Sequence, residues 1–130
     1  MKKNYFTTFT LFIIFSLVVS SVYAEEPWSK YPDNSDKEFM DANAFYETRD
    51  KNLYTEYEGA KVNSREKVSY KDINKILSKF DDYGNARVGG NGYHPKRQVY
   101  VFVTVSKEGD KMKKAVFDAE KHQPIAISGP

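Results

Sequence analysis

The 130-residue sequence contains no cysteine. This excludes structural disulfides, zinc–thiolate sites, thiol nucleophiles and a lipid-modified N-terminal cysteine. The sequence also lacks His-Glu-x-x-His, an acidic calcium loop and a Gly-x-Ser-x-Gly elbow. Its two histidines, His94 and His122, do not have the spacing of a metal-ligand pair. We therefore expect no metal, no cofactor and no enzymatic activity.

The N-terminal residues are typical of an export signal. Lys2 and Lys3 precede an apolar stretch at 11–19, and small residues lie just before and at Ala24. The apolar stretch is shorter than the roughly 20 residues of a membrane-spanning helix. The pattern predicts a signal peptide over residues 1–24, cleaved after Ala24. We expect a secreted, periplasmic or cell-envelope protein, of a kind common in bacteria, with no membrane span after cleavage.

The chain that follows Ala24 has little net charge and few aliphatic residues. Two of the 20 basic residues lie in 1–24 and no acidic one does, which leaves 18 basic against 18 acidic residues. A neutral chain offers no general attraction for nucleic acid, so we expect no nucleic-acid partner. The 106 residues contain nineteen Leu, Ile, Val and Phe but eight Tyr. The core is expected to be small and rich in aromatic side chains.

The chain after Ala24 is predicted to form an extended N-terminal arm at 25–35 and a single domain at 36–130. The arm contains two prolines and no hydrophobic period. Its aromatic residues, Trp28 and Tyr31, have two interpretations. They either dock onto the domain and fix the arm, or contact a partner.

Two helices are predicted from capping patterns and apolar spacing. Ser35 begins the first pattern, which predicts a helix at about 36–47. Ser69 and Asp72 form the second, which predicts a helix at about 70–82 with apolar residues on one face. Residues 50–62 fit either a helix or a strand and stay unassigned.

The C-terminal third alternates with a period of two residues, which is typical of strands. Four valines alternate with Tyr100, Phe102 and Thr104 after Gln98. A turn at 107–110 and a second apolar stretch at 112–117 predict a hairpin, and 125–127 predict a last short strand. The predicted fold class is α+β, with two helices packed on one face of a short antiparallel sheet.

The segment 84–97 has the most unusual composition, with four of the seven glycines. It also brings together cationic side chains suited to a carboxylate, sulfate or phosphate and aromatic side chains suited to a peptide or glycan. The candidate binding residues are Tyr83, Arg87, Tyr93, His94, Lys96 and Arg97. A loop of this length in a small domain is often functional, although a mobile linker without a ligand fits the same composition.

The last sixty residues or so resemble a PepSY-type module, in which a helix precedes a strand hairpin with a valine-aspartate-alanine turn. The matching stretches are 68–80, 98–105, 115–119 and 124–127. Two features depart from that pattern: Glu-Lys-His-Gln at 120–123 replaces a glycine turn, and the glycine-rich segment separates helix from hairpin. The resemblance implies an exported module that restrains a peptidase or binds another protein.

Three functions are compatible with these features. The first is a secreted, non-enzymatic binding module acting through 84–97 on an extracellular or envelope protein or glycan, with inhibition of a peptidase or other hydrolase as one form. The second is an envelope or matrix protein that assembles through sheet edges. The third is a small hydrolase or lyase using His94, Arg97 and a carboxylate.

Overall fold

The computed structural model describes residues 27–130. The predicted signal peptide and its cleavage site lie outside this range. In chain order the elements are helix α1 (Ala42–Thr48), strand β1 (Val62–Ser69), a 3-10 turn (Tyr70–Asp72), helix α2 (Ile73–Ser78), and strands β2 (Gln98–Val105), β3 (Met112–Asp118) and β4 (Pro124–Ser128). None of the helices in the described range is both long and apolar enough to cross a membrane.

The four strands form one antiparallel sheet in the order β1-β2-β3-β4. The α+β class and the three C-terminal strands are confirmed. Strand β1 was not predicted, because its sequence Val-Asn-Ser-Arg-Glu-Lys-Val-Ser has apolar residues only at its ends. It pairs with β2 along its full length, from Val62 opposite Val105 to Ser69 opposite Gln98. Pairing with a buried neighbour therefore determines this strand more than its own pattern does.

The two helices lie on opposite faces of the sheet, which corrects the prediction that both pack on one face. Phe45 of α1 packs with Tyr100 and Phe102, the aromatic side of β2. Leu77 of α2 packs with the valine side of the same strand, including Val101. Both faces of β2 are thus apolar, and each needs its own cover.

Helix α1 is shorter than predicted and begins at Ala42 instead of about 36. The carbonyls of Asn34 and Lys37 accept hydrogen bonds from Gln98 Nε2 at 2.8 Å each, which holds this stretch along the sheet. Asp41 provides the cap instead of Ser35, because its Oδ1 accepts the Ala44 N–H at 2.8 Å. The N-cap signal was present in the sequence six residues later than expected.

Helix α2 is also shorter than the predicted 70–82. Its first residues form a 3-10 turn, and neither Ser69 nor Asp72 makes a side-chain cap hydrogen bond. After Ser78 the chain continues as single turns, with the Phe80 N–H donating to Leu77 O at 3.0 Å. The predicted apolar face is nevertheless buried.

Candidate functional site

The N-terminal arm docks onto the end of the glycine-rich segment 84–97. Tyr31 forms an isolated parallel bridge with Tyr93, and the His94 N–H donates to Tyr31 O at 3.0 Å. The Trp28 and His94 rings meet edge to face, with their centroids 4.9 Å apart. Of the two interpretations of Trp28 and Tyr31, docking onto the domain is therefore the one observed.

Tyr93 is enclosed between two other tyrosines. Its ring stacks on Tyr31 at 4.3 Å and on Tyr70 at 4.9 Å between centroids. Burial, reinforced by Tyr31, raises the pKa of Tyr93 to about 12. Both faces of the ring are occupied by the protein itself, so stacking on a glycan or peptide would require the arm to leave.

Arg97 is a buried residue, whereas the sequence predicts an exposed side chain that donates hydrogen bonds to a ligand. Its side chain is 1% exposed and makes two hydrogen bonds to Asp118, at 2.7 and 2.9 Å. Its Nη1 also donates to Pro32 O at 3.1 Å. Asn34, which is buried as well, joins the arm to the first residue of β2 by accepting the Gln98 N–H. The ion pair thus connects the arm, β2 and β3.

The Asp118 carboxyl titrates below its ordinary range. Burial raises its pKa, but the hydrogen bonds from Arg97 and from the Lys121 N–H outweigh burial, and the pKa is lowered from 3.8. The carboxylate therefore stabilises the fold above the unfolded pKa, and this contribution is lost as the pH falls through the folded pKa.

This linkage predicts how the free energy of unfolding depends on pH. We expect the free energy of unfolding to change little from pH 7 to about 5 and to fall below about pH 4. Urea unfolding followed by circular dichroism at several pH values measures it. The Asp118→Asn variant should show a shallower decline than the wild type. An equally steep decline in both would contradict the role assigned to this carboxylate.

The remaining predicted site residues do not converge on one point. Arg87 is exposed and paired with Asp81 by two hydrogen bonds of 2.9 Å. Tyr83 packs at the edge of the valine-side core, with Lys61 Nζ 5.5 Å from its ring centroid. Lys96 is exposed, and its N–H donates to His94 Nδ1 at 3.0 Å. In residues 27–130 no carboxylate or hydroxyl forms a hydrogen bond with the His94 ring.

Residues 86–88 of the glycine-rich segment pack over the valine side of the sheet. Ala86 and Val88 join the core there, and the Asn74 side chain binds both the N–H and the C=O of Val88, at 2.8 and 2.9 Å. Lys114, 8% exposed, donates from Nζ to Arg87 O at 3.0 Å. Gly90 has φ of 144°, which glycine tolerates and other residues rarely adopt. Residues 86–88 therefore have defined contacts with the rest of the domain.

A cleft lies at the opposite end of the sheet from the arm's tyrosine contacts, and we call it the C-terminal cleft. Its volume is about 240 Å³. It is lined by Lys51, Asn52, Leu53, Tyr54, Thr55, Lys113, Ile127, Ser128, Gly129 and Pro130. Leu53 is 38% exposed and Ile127 40% exposed, which gives the lining two accessible apolar side chains.

Contacts between β3 and the C-terminal residues shape this cleft. Gly129, with φ of 119°, passes so close to β3 that a Cβ would lie 2.6 Å from Met112 O. The Tyr57 hydroxyl donates to Pro130 O at 3.1 Å, and Lys113 Nζ lies 4.2 Å from the centroid of the Tyr57 ring. The C-terminal residues are therefore held against the sheet at a position where only glycine fits.

The cleft adjoins an open sheet edge that carries no charge. Strands β1 and β4 are the two edges, and in the described chain neither pairs with a further strand. Strand β1 contains Arg65, Glu66 and Lys67, charged residues of the type that discourages edge pairing. Residues 123–130 contain no charged side chain. Strand β4 is short, begins with Pro124 and has a register shift opposite Val116 and Phe117, but it has no charged side chain of the kind that most often protects an edge.

Sequence reasoning did not identify the C-terminal cleft. Two features of the sequence belong to it: the charge-free run 123–130 and Leu53 in the unassigned region. Neither indicates by itself that residues 51–55 lie beside the end of β4, because that contact joins parts of the chain about seventy residues apart. The residues 27–130 contain no group of three or more His, Cys, Asp or Glu that could hold a metal ion.

No protein-family model, curated protein or solved structure matches this chain. The resemblance to PepSY-type modules therefore stays a prediction.

Proposed function

We propose that the protein is an exported, non-enzymatic binding module that takes an extended segment of another protein along the outer edge of β4. The observation that carries the proposal is the edge of β4 beside the C-terminal cleft, which has no charged side chain and pairs with no further strand within residues 27–130. An edge strand presents a row of free N–H and C=O groups that an extended peptide can match. Export itself rests on the signal sequence at residues 1–24.

The cleft would supply selectivity to this pairing. Main-chain hydrogen bonds accept almost any extended sequence, so strand addition depends on pockets that recognise alternate side chains. Leu53 and Ile127 lie at the cleft with more than a third of their surface exposed. An apolar side chain of the bound segment would cover both residues and remove their surface from water.

The proposed binding surface lies at β4 instead of at the glycine-rich segment 84–97. Ala86 and Val88 pack against the core, Tyr93 is stacked between two tyrosines, and Arg97 is paired with Asp118. Inhibition of a peptidase is compatible with capture of an extended segment at β4, and it stays a proposal about the partner.

Self-assembly is a second candidate, because an uncharged β4 edge can also pair with the same edge of another copy. Sedimentation equilibrium at increasing concentration separates the two candidates. We expect a monomer, and dimers that form through β4 without any peptide would favour assembly.

Selection from a library of random linear peptides of about ten residues tests the proposal, since this is the length of a long strand. We expect enriched peptides to bind the Leu53→Ser and Ile127→Ser variants about tenfold more weakly, since each change removes an apolar contact. Met40→Ser is the matched control, because Met40 is 42% exposed but does not line the cleft. Failure to enrich any peptide, or an equal loss in the control, would contradict the proposal.

A further inference from the structure

We infer that the segment taken up at β4 carries an acidic side chain next to its apolar anchor, with the carboxylate lying between Lys51 and Lys113. The inference rests on the proposed function and adds the chemical class of the ligand. It follows from the charges around the C-terminal cleft.

The side chains that line the cleft include two ammonium groups and no carboxylate. Neither Lys51 nor Lys113 takes part in an ion pair within residues 27–130. Three of the four arginines differ from them, since Arg65, Arg87 and Arg97 each have a carboxylate partner within 3 Å. The lysines at the cleft therefore keep their attraction for an anion from outside.

Lys113 is held in a defined position. Its Nζ lies over the Tyr57 ring at 4.2 Å, and the Tyr57 hydroxyl is itself fixed by Pro130 O. A cation over an aromatic face loses part of its conformational freedom before any ligand arrives. Binding of a carboxylate then costs less side-chain entropy than it would at a free lysine.

The segment that carries Lys51 is also ordered. The Leu53 N–H donates to Asp50 O at 3.1 Å, and the Thr55 hydroxyl donates to Lys51 O at 2.9 Å. These bonds form a local turn that keeps Leu53 and Lys51 on one short stretch of backbone. An apolar contact and a charge contact thus lie side by side.

Two carboxylates near the cleft have other partners. Asp50 accepts the Asn52 N–H at 2.9 Å, and Asp110 accepts the Ser106 hydroxyl at 2.8 Å. Neither carboxylate lines the cleft or forms an ion pair with its lysines. These carboxylates lower the positive potential around Lys51 and Lys113, but they do not cancel it at the short distances of a bound ligand.

An acidic residue two positions from the apolar anchor would lie on the same face of an extended segment. We therefore expect Asp and Glu to be more frequent in the selected peptides than in the unselected library. Enrichment of peptides without that excess would overturn the inference and leave the proposed function intact. Failure to enrich any peptide would contradict the proposed function itself.

A selected peptide and its Glu→Gln or Asp→Asn version give the second measurement. The acidic version should bind the wild type about threefold more tightly, the scale of an exposed ion pair. This preference should disappear in the Lys51→Met/Lys113→Met variant and persist in Lys79→Met, which changes an exposed lysine outside the cleft. Raising the salt from about 0.05 M to about 0.5 M should reduce the preference in the wild type as well. A preference unaffected by salt would overturn the inference even if the double variant failed to fold.

Discussion

Replacing Asp118 by asparagine is expected to lower the free energy of unfolding by about 3–5 kcal/mol, the typical cost of breaking a buried ion pair. Both side chains of the pair with Arg97 are 1% exposed. Asparagine keeps an oxygen that can accept the Lys121 N–H, so the turn after β3 retains its hydrogen bond. The guanidinium stays charged and buried but loses the bond from its Nε and the opposite charge, and keeps only this amide oxygen, Pro32 O and the more distant Glu120 as acceptors.

Urea unfolding at neutral pH, followed by circular dichroism, measures this loss. The matched control is Asp81→Asn, which removes the partner of Arg87 at an exposed site and is expected to change stability very little. Fluorescence of Trp28 adds a local reading, because this residue lies on the arm whose carbonyl at Pro32 binds Arg97. Equal effects of the two substitutions would contradict the role assigned to the buried pair.

The second large effect is expected for Phe45→Ala, at about 3–5 kcal/mol. Phe45 is 2% exposed, and its ring lies 4.2 Å from that of Tyr100 and 5.3 Å from that of Phe117. Helix α1 has seven residues, too few to be stable in isolation. Its place on the sheet depends on this aromatic contact, so the substitution removes core volume and the anchor of the helix together.

Thermal and urea unfolding of the Phe45→Ala and Met40→Ala variants measure this loss. Comparing the two distinguishes the anchoring of α1 by Phe45 from the effect of shortening any side chain in this region. Met40 is 42% exposed on the stretch just before the helix, so its replacement should cost less than about 1 kcal/mol. A loss for Phe45→Ala no larger than that of the control would show that α1 is held by other contacts.

The helices and the hairpin illustrate what local sequence can predict. In β2 a valine at every second residue gives an unambiguous period, and the turn at 107–110 fixes the register with β3. The first residue of α1 was misplaced because 36–41 has a helix-like pattern, yet its backbone is bound by Gln98, a residue sixty positions away. A specific tertiary contact of this kind outweighs the local helix propensity.

The candidate site residues show the same limit. Arg97 and Tyr93 have side chains that suit a ligand, and their composition alone could not distinguish binding an external partner from binding Asp118, Tyr31 and Tyr70. Leu53 gave no signal as a site residue, because an exposed leucine is common on protein surfaces. Only its position beside Ile127 makes it part of a cleft.

By itself the sequence determined the α+β class, the antiparallel hairpin, the final strand and the neutral balance of charge after residue 24. These properties follow from period, turn residues and composition, which act over a few neighbours. The tertiary structure decided that the helices cover opposite faces, that β1 exists, that the arm closes over Arg97 and that a cleft opens beside β4. Each of these depends on contacts between distant parts of the chain, whose energies no local pattern encodes.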